Sequence, residues 1–188
     1  MPPRNRYSRT AIGLHWLLAL LIAGAFGMGL YVAGLPISPW RLRLMNWHKW
    51  AGVTILALSL LRLAWRLRHA PPPLPEPVLR AMPPWQRRLH QGTMAALYLL
   101  FFAVPLLGWA YSSAMGFPVV WMGMLPLPDF VAPDEAFAKS VLLPLHRGGA
   151  YLLATLVVVH VAGVLKHRWI DHADLLVRMW PGGKEGMQ

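Results

Sequence analysis

The sequence has no cysteine and few acidic residues. Its 188 residues contain seven Asp and Glu against 18 Lys and Arg, and charged residues make up 13% of the chain. Without cysteine the chain cannot form disulfides, iron–sulfur clusters or a covalently attached c-type haem. Because 56% of the residues are hydrophobic, so little charge cannot cover the surface of a water-soluble domain. The composition therefore favours a membrane protein.

Four apolar segments are long enough to cross the hydrocarbon core of a bilayer. They span approximately residues 11–32, 47–65, 92–111 and 142–165, and none of them contains Asp or Glu. Lys49 and Arg62 lie within the second segment, near enough to its ends for their charges to reach the headgroups. No small-residue cleavage site follows the first segment, so we expect it to be retained. The sequence predicts an all-α integral membrane protein, a four-helix transmembrane bundle.

The basic residues are divided unequally between the two predicted sides of the membrane. Thirteen of the 18 Lys and Arg lie on the side of the chain ends, and five lie on the other side. Because Lys and Arg concentrate in cytoplasmic loops, we expect both termini in the cytoplasm and a bundle surrounded by lipid. Topology thus explains the net charge of +11, and no nucleic-acid partner is expected.

The connections are predicted from their composition, within a single membrane domain covering residues 1–188. A Pro-rich cytoplasmic linker at 70–84 holds seven of the 18 prolines and is expected to be extended. A short outer loop is expected at 34–46. The periplasmic loop at 112–140 contains the apolar phrase FPVVWMGMLPLP, which is expected to lie as a lid over the outer ends of the helices.

Four histidines pair by depth in this topology. His146 and His160 are fourteen residues apart in the fourth segment. On a helix this spacing puts them within about 40° of one face and roughly 21 Å apart along the axis. His15 begins the first segment at the depth of His160, and His48 begins the second at the depth of His146. Two pairs at two depths suit two stacked cofactors.

Bis-histidine ligation of haem iron needs such pairs, and a centre of this kind transfers electrons without an open position for oxygen. One alternative is that each histidine only bonds a neighbouring helix. A zinc site would need ligands clustered together, usually with carboxylates or cysteines. Small residues at Gly24, Gly27 and Gly29 would let either a flat ligand or a neighbouring helix approach the first segment closely.

Several phrases of the sequence resemble the bacterial cytochrome b561 family over nearly the whole chain. They are LHW at 14–16, HKWAG at 48–52, LLRLAWRL at 60–67, PLLGW at 105–109, VVVHV at 157–161 and KHRWID at 166–171. The resemblance implies four helices holding two b-type haems in the bacterial inner (cytoplasmic) membrane. The axial ligands of the iron would be His15 and His160 for the inner haem and His48 and His146 for the outer haem. At Met94 the sequence departs from relatives that carry histidine there, and His90 has no assigned role.

The length resembles the superoxide oxidase branch of that family. This implies that superoxide is oxidised to dioxygen at the periplasmic side, that electrons pass through both haems to reduce ubiquinone near the inner face, and that no protein partner is required. His167 resembles a quinone-contacting position and is the candidate for quinone protonation. Arg68 and His69 are candidate helpers from the adjoining linker.

Five cations surround the expected outer mouth of the bundle. They are Arg41, Arg43, Lys49, Lys139 and Arg147. Two roles are open for them, namely neutralising haem propionates and steering superoxide inward. The alternative function is an electron-carrying cytochrome b subunit of a hydrogenase or another membrane dehydrogenase. A histidine-based metal transporter would need acidic residues in the spans, and a haem-free structural protein would be colourless.

Overall fold

The computed structural model describes residues 6–182 of the chain. Arg4 and Lys184, two of the cations used to predict the topology, lie outside these residues. Four long helices dominate the fold, and all four are long and apolar enough to span a membrane. They are α1 (Arg9–Ala33), α2 (Pro39–Arg68), α4 (Pro84–Ala114) and α6 (Leu143–Trp169). A helical bundle in the membrane is thus confirmed as the fold class.

The helices are longer than the apolar segments that predict them, because hydropathy marks only the part of a helix that lies in hydrocarbon. α2 and α4 each begin eight residues before the predicted segment, and because α2 begins at Pro39, the predicted outer loop at 34–46 is mostly helical. Proline at the first helical position costs no hydrogen bond, and the Ser38 side chain accepts a hydrogen bond from the Arg41 amide.

The Pro-rich linker is not wholly extended as predicted. It contains a short helix, α3 (Glu76–Ala81), in which Pro77 occupies a first-turn position that a proline tolerates. Arg80 lies 3.5 Å from Glu76 one turn earlier, although this pair is exposed and contributes little.

The loop that follows α4 folds into a small lid. Strands β1 (Val120–Trp121) and β2 (Leu125–Pro126) form an antiparallel hairpin, and α5 (Glu135–Phe137) with a π-helical turn (Ala138–Leu142) leads into α6. The Trp50 indole donates to the Val120 carbonyl at 2.7 Å, and the Trp121 indole lies 3.2 Å from the Thr54 hydroxyl. The apolar phrase therefore lies against the first half of α2, whereas the sequence predicts a lid over the outer ends of the helices.

The bundle consists of two helix pairs. α1 packs along α2, α4 packs along α6, and α2 with α4 joins the two pairs, whereas α1 and α6 barely touch. The described chain begins and ends at one end of the bundle, which we call the terminal end. The opposite end carries β1 and β2, and we call it the hairpin end.

An inner cap closes the terminal end, formed by residues 6–8, 70–74 and 175–180. The Trp16 indole donates to the Met179 carbonyl at 2.7 Å, and the Arg6 guanidinium donates to the Trp180 carbonyl at 2.8 Å. Arg178 is buried and donates to the Pro73 carbonyl at 2.7 Å and to the Pro72 carbonyl at 3.1 Å. Carbonyls of the linker thus hold the tail in place.

Candidate functional site

A cavity of about 2290 Å³ runs through the bundle and is lined by all four long helices. Drug-sized ligands usually occupy about 300–1,000 Å³, so this cavity has room for more than one large cofactor. It reaches from Arg41 at the hairpin end to the inner cap at the terminal end. All four histidines that the sequence pairs by depth line it.

His15 of α1 and His160 of α6 face each other near the terminal end. Their ring centroids are 6.3 Å apart and their planes are inclined by 72°. His48 of α2 and His146 of α6 face each other near the hairpin end, with centroids 6.1 Å apart and planes inclined by 86°. The structure therefore brings together the two pairs that the sequence predicts.

These separations fit one metal ion between each pair of rings. Two metal–imidazole bonds of about 2 Å each, with about 1 Å from each ligating nitrogen to its ring centroid, require roughly 6 Å between centroids. Elsewhere in residues 6–182, no group of three or more His, Asp or Glu side chains could hold a metal ion. The donor set of each pair is that of a bis-histidine haem.

The backbone at the hairpin end leaves space for these imidazoles. A Cβ added to Gly108 of α4 would lie 2.9 Å from Cε1 of His146, and one added to Gly29 of α1 would lie 3.2 Å from Cε1 of His48. By contrast, a Cβ on Gly27 would meet nothing within 4 Å. Of the two glycines that contact imidazoles, the sequence indicates Gly29 but not Gly108.

A backbone carbonyl orients His146. Its Nδ1 lies 2.9 Å from the Val104 carbonyl of α4. Because a carbonyl only accepts, Nδ1 donates, and Nε2 retains the lone pair that a metal ion needs. Sequence reasoning cannot find this contact, since it depends on how α4 packs against α6.

The neighbour of His15 is a cation. Nη1 of Arg62 in α2 lies 2.9 Å from Nδ1 of His15, and Nε of Arg62 lies 3.4 Å from the Tyr98 hydroxyl of α4. Arg62 and Arg66 both lie over the Tyr98 ring, at 6.0 Å and 5.4 Å from its centroid. The sequence identifies Arg62 only as a cation near a helix end.

His167 is 8% exposed and lies outside the large cavity, in a pocket of about 300 Å³ beneath the linker. Its Nδ1 is 2.7 Å from Oδ2 of Asp171, and Nζ of Lys166 is 2.9 Å from the same oxygen. The hydrogen bond from Lys166 lowers the pKa of Asp171 below its ordinary value, so this carboxylate is charged at neutral pH. His167 therefore has an anionic partner one turn away.

The three candidate quinone residues do not share one site. His69 lines the large cavity, with its ring stacked on Trp65 at 4.0 Å, whereas His167 lies in the smaller pocket. Arg68 is exposed at the end of α2 and lines neither cavity. His90, which the sequence leaves without a role, does line the large cavity.

Most of the predicted cations are at the hairpin mouth of the cavity. Arg41, Lys49, Lys139 and Arg147 line it, but Arg43 is exposed and does not. Nζ of Lys49 lies 3.4 Å from the Phe117 carbonyl. Lys139 is paired with Glu135, which offsets its charge. Arg147 is exposed beside His146.

The fold and these histidine pairs define a class of protein, a membrane helix bundle built for electron transfer. The profile of a family described as "Prokaryotic cytochrome b561" matches residues 6–182. "Cytochrome b561 homolog 2" of Escherichia coli (strain K12) is 32% identical over 176 residues, which cover 93% of this chain and 91% of that protein. The chain therefore belongs to the prokaryotic cytochrome b561 family, whose membership implies membrane electron transfer with b-type haem.

Two further relatives cover nearly the whole chain. "Cytochrome b561 homolog 1" of Escherichia coli (strain K12) is 29% identical over 187 residues, covering 96% of this chain and 99% of that protein. "Probable superoxide oxidase CybB" of Yersinia pestis is 28% identical over 186 residues, covering 94% of this chain and 97% of that protein.

Proposed function

We propose that this protein is a di-haem superoxide:ubiquinone oxidoreductase of the bacterial inner membrane, with both termini in the cytoplasm. The observation that carries the proposal is the pair of facing imidazoles at each end of one cavity, at 6.3 Å and 6.1 Å. The excess of Lys and Arg on the terminal side supports the orientation. The name of the Yersinia pestis relative supports superoxide as the electron donor.

Four histidines would hold the haem irons, His15 with His160 at the terminal end and His48 with His146 at the hairpin end. Bound haem would supply reversible one-electron transfer between the two ends of the cavity. α6 contributes one histidine to each pair, so a single helix fixes both depths, roughly 21 Å apart along its axis. The Val104 carbonyl holds His146 in the tautomer that ligation requires.

Cations at the hairpin end would attract the anionic substrate. Arg41, Lys49 and Arg147 line the cavity there without the close carboxylate that Lys139 has in Glu135. A mouth lined by one sign of charge raises the local concentration of an anion. Two superoxide anions would each give up one electron and leave as dioxygen, because the reduction of one quinone needs two electrons.

Protons for the quinone would enter at the terminal end. Two electrons and two protons convert ubiquinone to ubiquinol. His167 is the candidate proton donor, and Asp171, whose Oδ2 lies 2.7 Å from Nδ1 of His167, could take up a proton from water and pass it to the imidazole. His69 lines the cavity near this end and remains a candidate contact for the quinone, whereas the exposed position of Arg68 leaves it a supporting role.

The test uses the purified protein in lipid nanodiscs under anaerobic conditions. We expect two haems b per chain, reduction of both by added superoxide, and ubiquinol formation in a ratio of one to two superoxides. Lys49→Gln should slow reduction by superoxide and weaken its salt dependence, whereas Arg43→Gln, the same charge change outside the cavity, should not. Two haems that superoxide fails to reduce would favour the alternative, an electron carrier for a hydrogenase or another dehydrogenase.

A further inference from the structure

Arg62 is a cation inside a membrane-spanning helix with no carboxylate to balance it. It lies six residues before the end of α2, lines the large cavity and is only partly exposed. In residues 6–182 no carboxylate oxygen lies within 4.0 Å of Arg62 or of its neighbour Arg66. Charged groups at such depth are costly unless they are paired. An anion bound in the cavity beside Arg62 would therefore balance its charge.

Arg62 contacts one of the four proposed haem ligands. A guanidinium only donates hydrogen bonds, so Nδ1 of His15, 2.9 Å from Nη1, must be the acceptor. A neutral imidazole has one proton, which is then on Nε2. The outer ligand His146 is in the opposite state, because its Nδ1 donates to the Val104 carbonyl.

If Nε2 of His15 held a haem iron, its Nδ1 would carry the proton and could not accept a hydrogen bond from Arg62. Arg62 would then need another acceptor. Tyr98 provides a pivot, since its hydroxyl lies 3.4 Å from Nε of Arg62 and would keep that end of the guanidinium in place. The neutral Tyr98 hydroxyl does not supply the missing negative charge.

We propose that Arg62 would bind a propionate of the inner haem. This inference rests on the part of the proposed function that places a haem between His15 and His160. Haem b brings two carboxylates into a cavity whose wall has unpaired arginines, and arginine is the side chain best suited to bind a carboxylate with two hydrogen bonds. Arg62 is then a cofactor-binding residue.

The experiment compares Arg62→Gln and Arg62→Lys with Arg88→Gln, which removes the same charge from an exposed position on α4. The midpoint potential of each haem is measured by anaerobic spectroelectrochemical titration, and His160→Ala identifies the inner haem. Loss of a cation disfavours the reduced haem, so in Arg62→Gln the reduced-to-oxidised ratio of the inner haem should fall by about tenfold, which is a 59 mV lower midpoint. The outer haem should not change.

Arg62→Lys keeps the charge but not the two-pronged geometry, and should restore most of the potential. If Arg62→Gln loses the inner haem altogether, retention of that haem by Arg62→Lys supports the proposal. The proposal is overturned if both haems of Arg62→Gln keep their potentials, or if Arg62→Lys is as defective as Arg62→Gln. Wild-type protein without haem would refute the proposed function before any variant is made. Haems that titrate as expected but ignore superoxide would refute only the proposed reaction.

Discussion

Replacing Gly108 with alanine should weaken the outer haem site selectively. The new Cβ would lie 2.9 Å from Cε1 and 3.1 Å from Nδ1 of His146, whereas carbon atoms in contact are about 3.5–4.0 Å apart. The imidazole must therefore move by about 0.6–1 Å. It is held by a 2.9 Å hydrogen bond to Val104, and a functional geometry tolerates displacements of only about 0.5 Å.

The expected magnitude follows from the cost of overpacking. Inserting a methyl group into a filled site costs about 1–3 kcal/mol, which corresponds to haem binding that is roughly 5- to 150-fold weaker. Gly29→Ala, with its Cβ at 3.2 Å from His48, should show a smaller loss at the same haem. Gly27→Ala meets nothing within 4 Å and controls for the gain in helix propensity, about 1 kcal/mol.

The assay is the haem-to-protein ratio from pyridine haemochrome spectra, combined with a redox titration that separates the two haems. We expect Gly108→Ala to lose the outer haem, Gly29→Ala to lose part of it, and Gly27→Ala to match the wild type. If Gly108→Ala holds two haems with wild-type potentials, the assignment of His146 as a ligand would be wrong.

Three further predictions concern the terminal end. His160→Ala should leave one haem per chain and stop ubiquinol formation while superoxide still reduces the outer haem, as checked by spectra during turnover. Asp171→Asn should slow ubiquinol formation about tenfold, less than the roughly hundredfold loss typical when an acid–base group itself is removed. Haem reduction should not change in this variant. The hydrogen bond from Lys166 lowers the pKa of Asp171, so in the wild type the contribution of the Asp171 carboxylate to ubiquinol formation should be lost only as the pH falls through that lowered pKa. Arg178→Ala removes charged hydrogen bonds worth about 1.5–3 kcal/mol, so trypsin should cut after Arg80 roughly 10- to 150-fold faster; unchanged cleavage would show that the inner cap does not depend on Arg178.

The sequence predicts the fold well because its two strongest signals are long apolar segments and the distribution of Lys and Arg. Each can be read from one segment and its flanking loops, without knowing how the helices pack. The same signals predict which histidines meet, because they give each histidine a depth along the membrane normal, and only histidines at the same depth can face each other. His15 with His160 and His48 with His146 follow from it without knowledge of how the helices pack. Their role as haem ligands remains a prediction.

What the sequence does not predict depends on lateral packing. The approach of Gly108 to His146, the carbonyl at Nδ1 and the contact of Arg62 with His15 each join different helices, and depth alone does not specify which helices are neighbours. The linker helix α3 and the early start of α2 were missed for another reason. Both contain proline, which excludes a helix interior but suits the first turn.

The position of α6 in the chain has a consequence for biogenesis. α6 is the last of the four long helices to be synthesised, yet it supplies one histidine to each pair, while α1 and α2 supply the others. A nascent chain that has inserted only α1, α2 and α4 thus contains no complete pair. With the proposed ligands, haem could be captured only after α6 has been inserted, and the iron between His15 and His160 would link α1 to α6, two helices that barely touch. Haem loading would in this way act as the closing step of membrane assembly, and a chain truncated before α6 should remain colourless and be open to quality-control proteolysis.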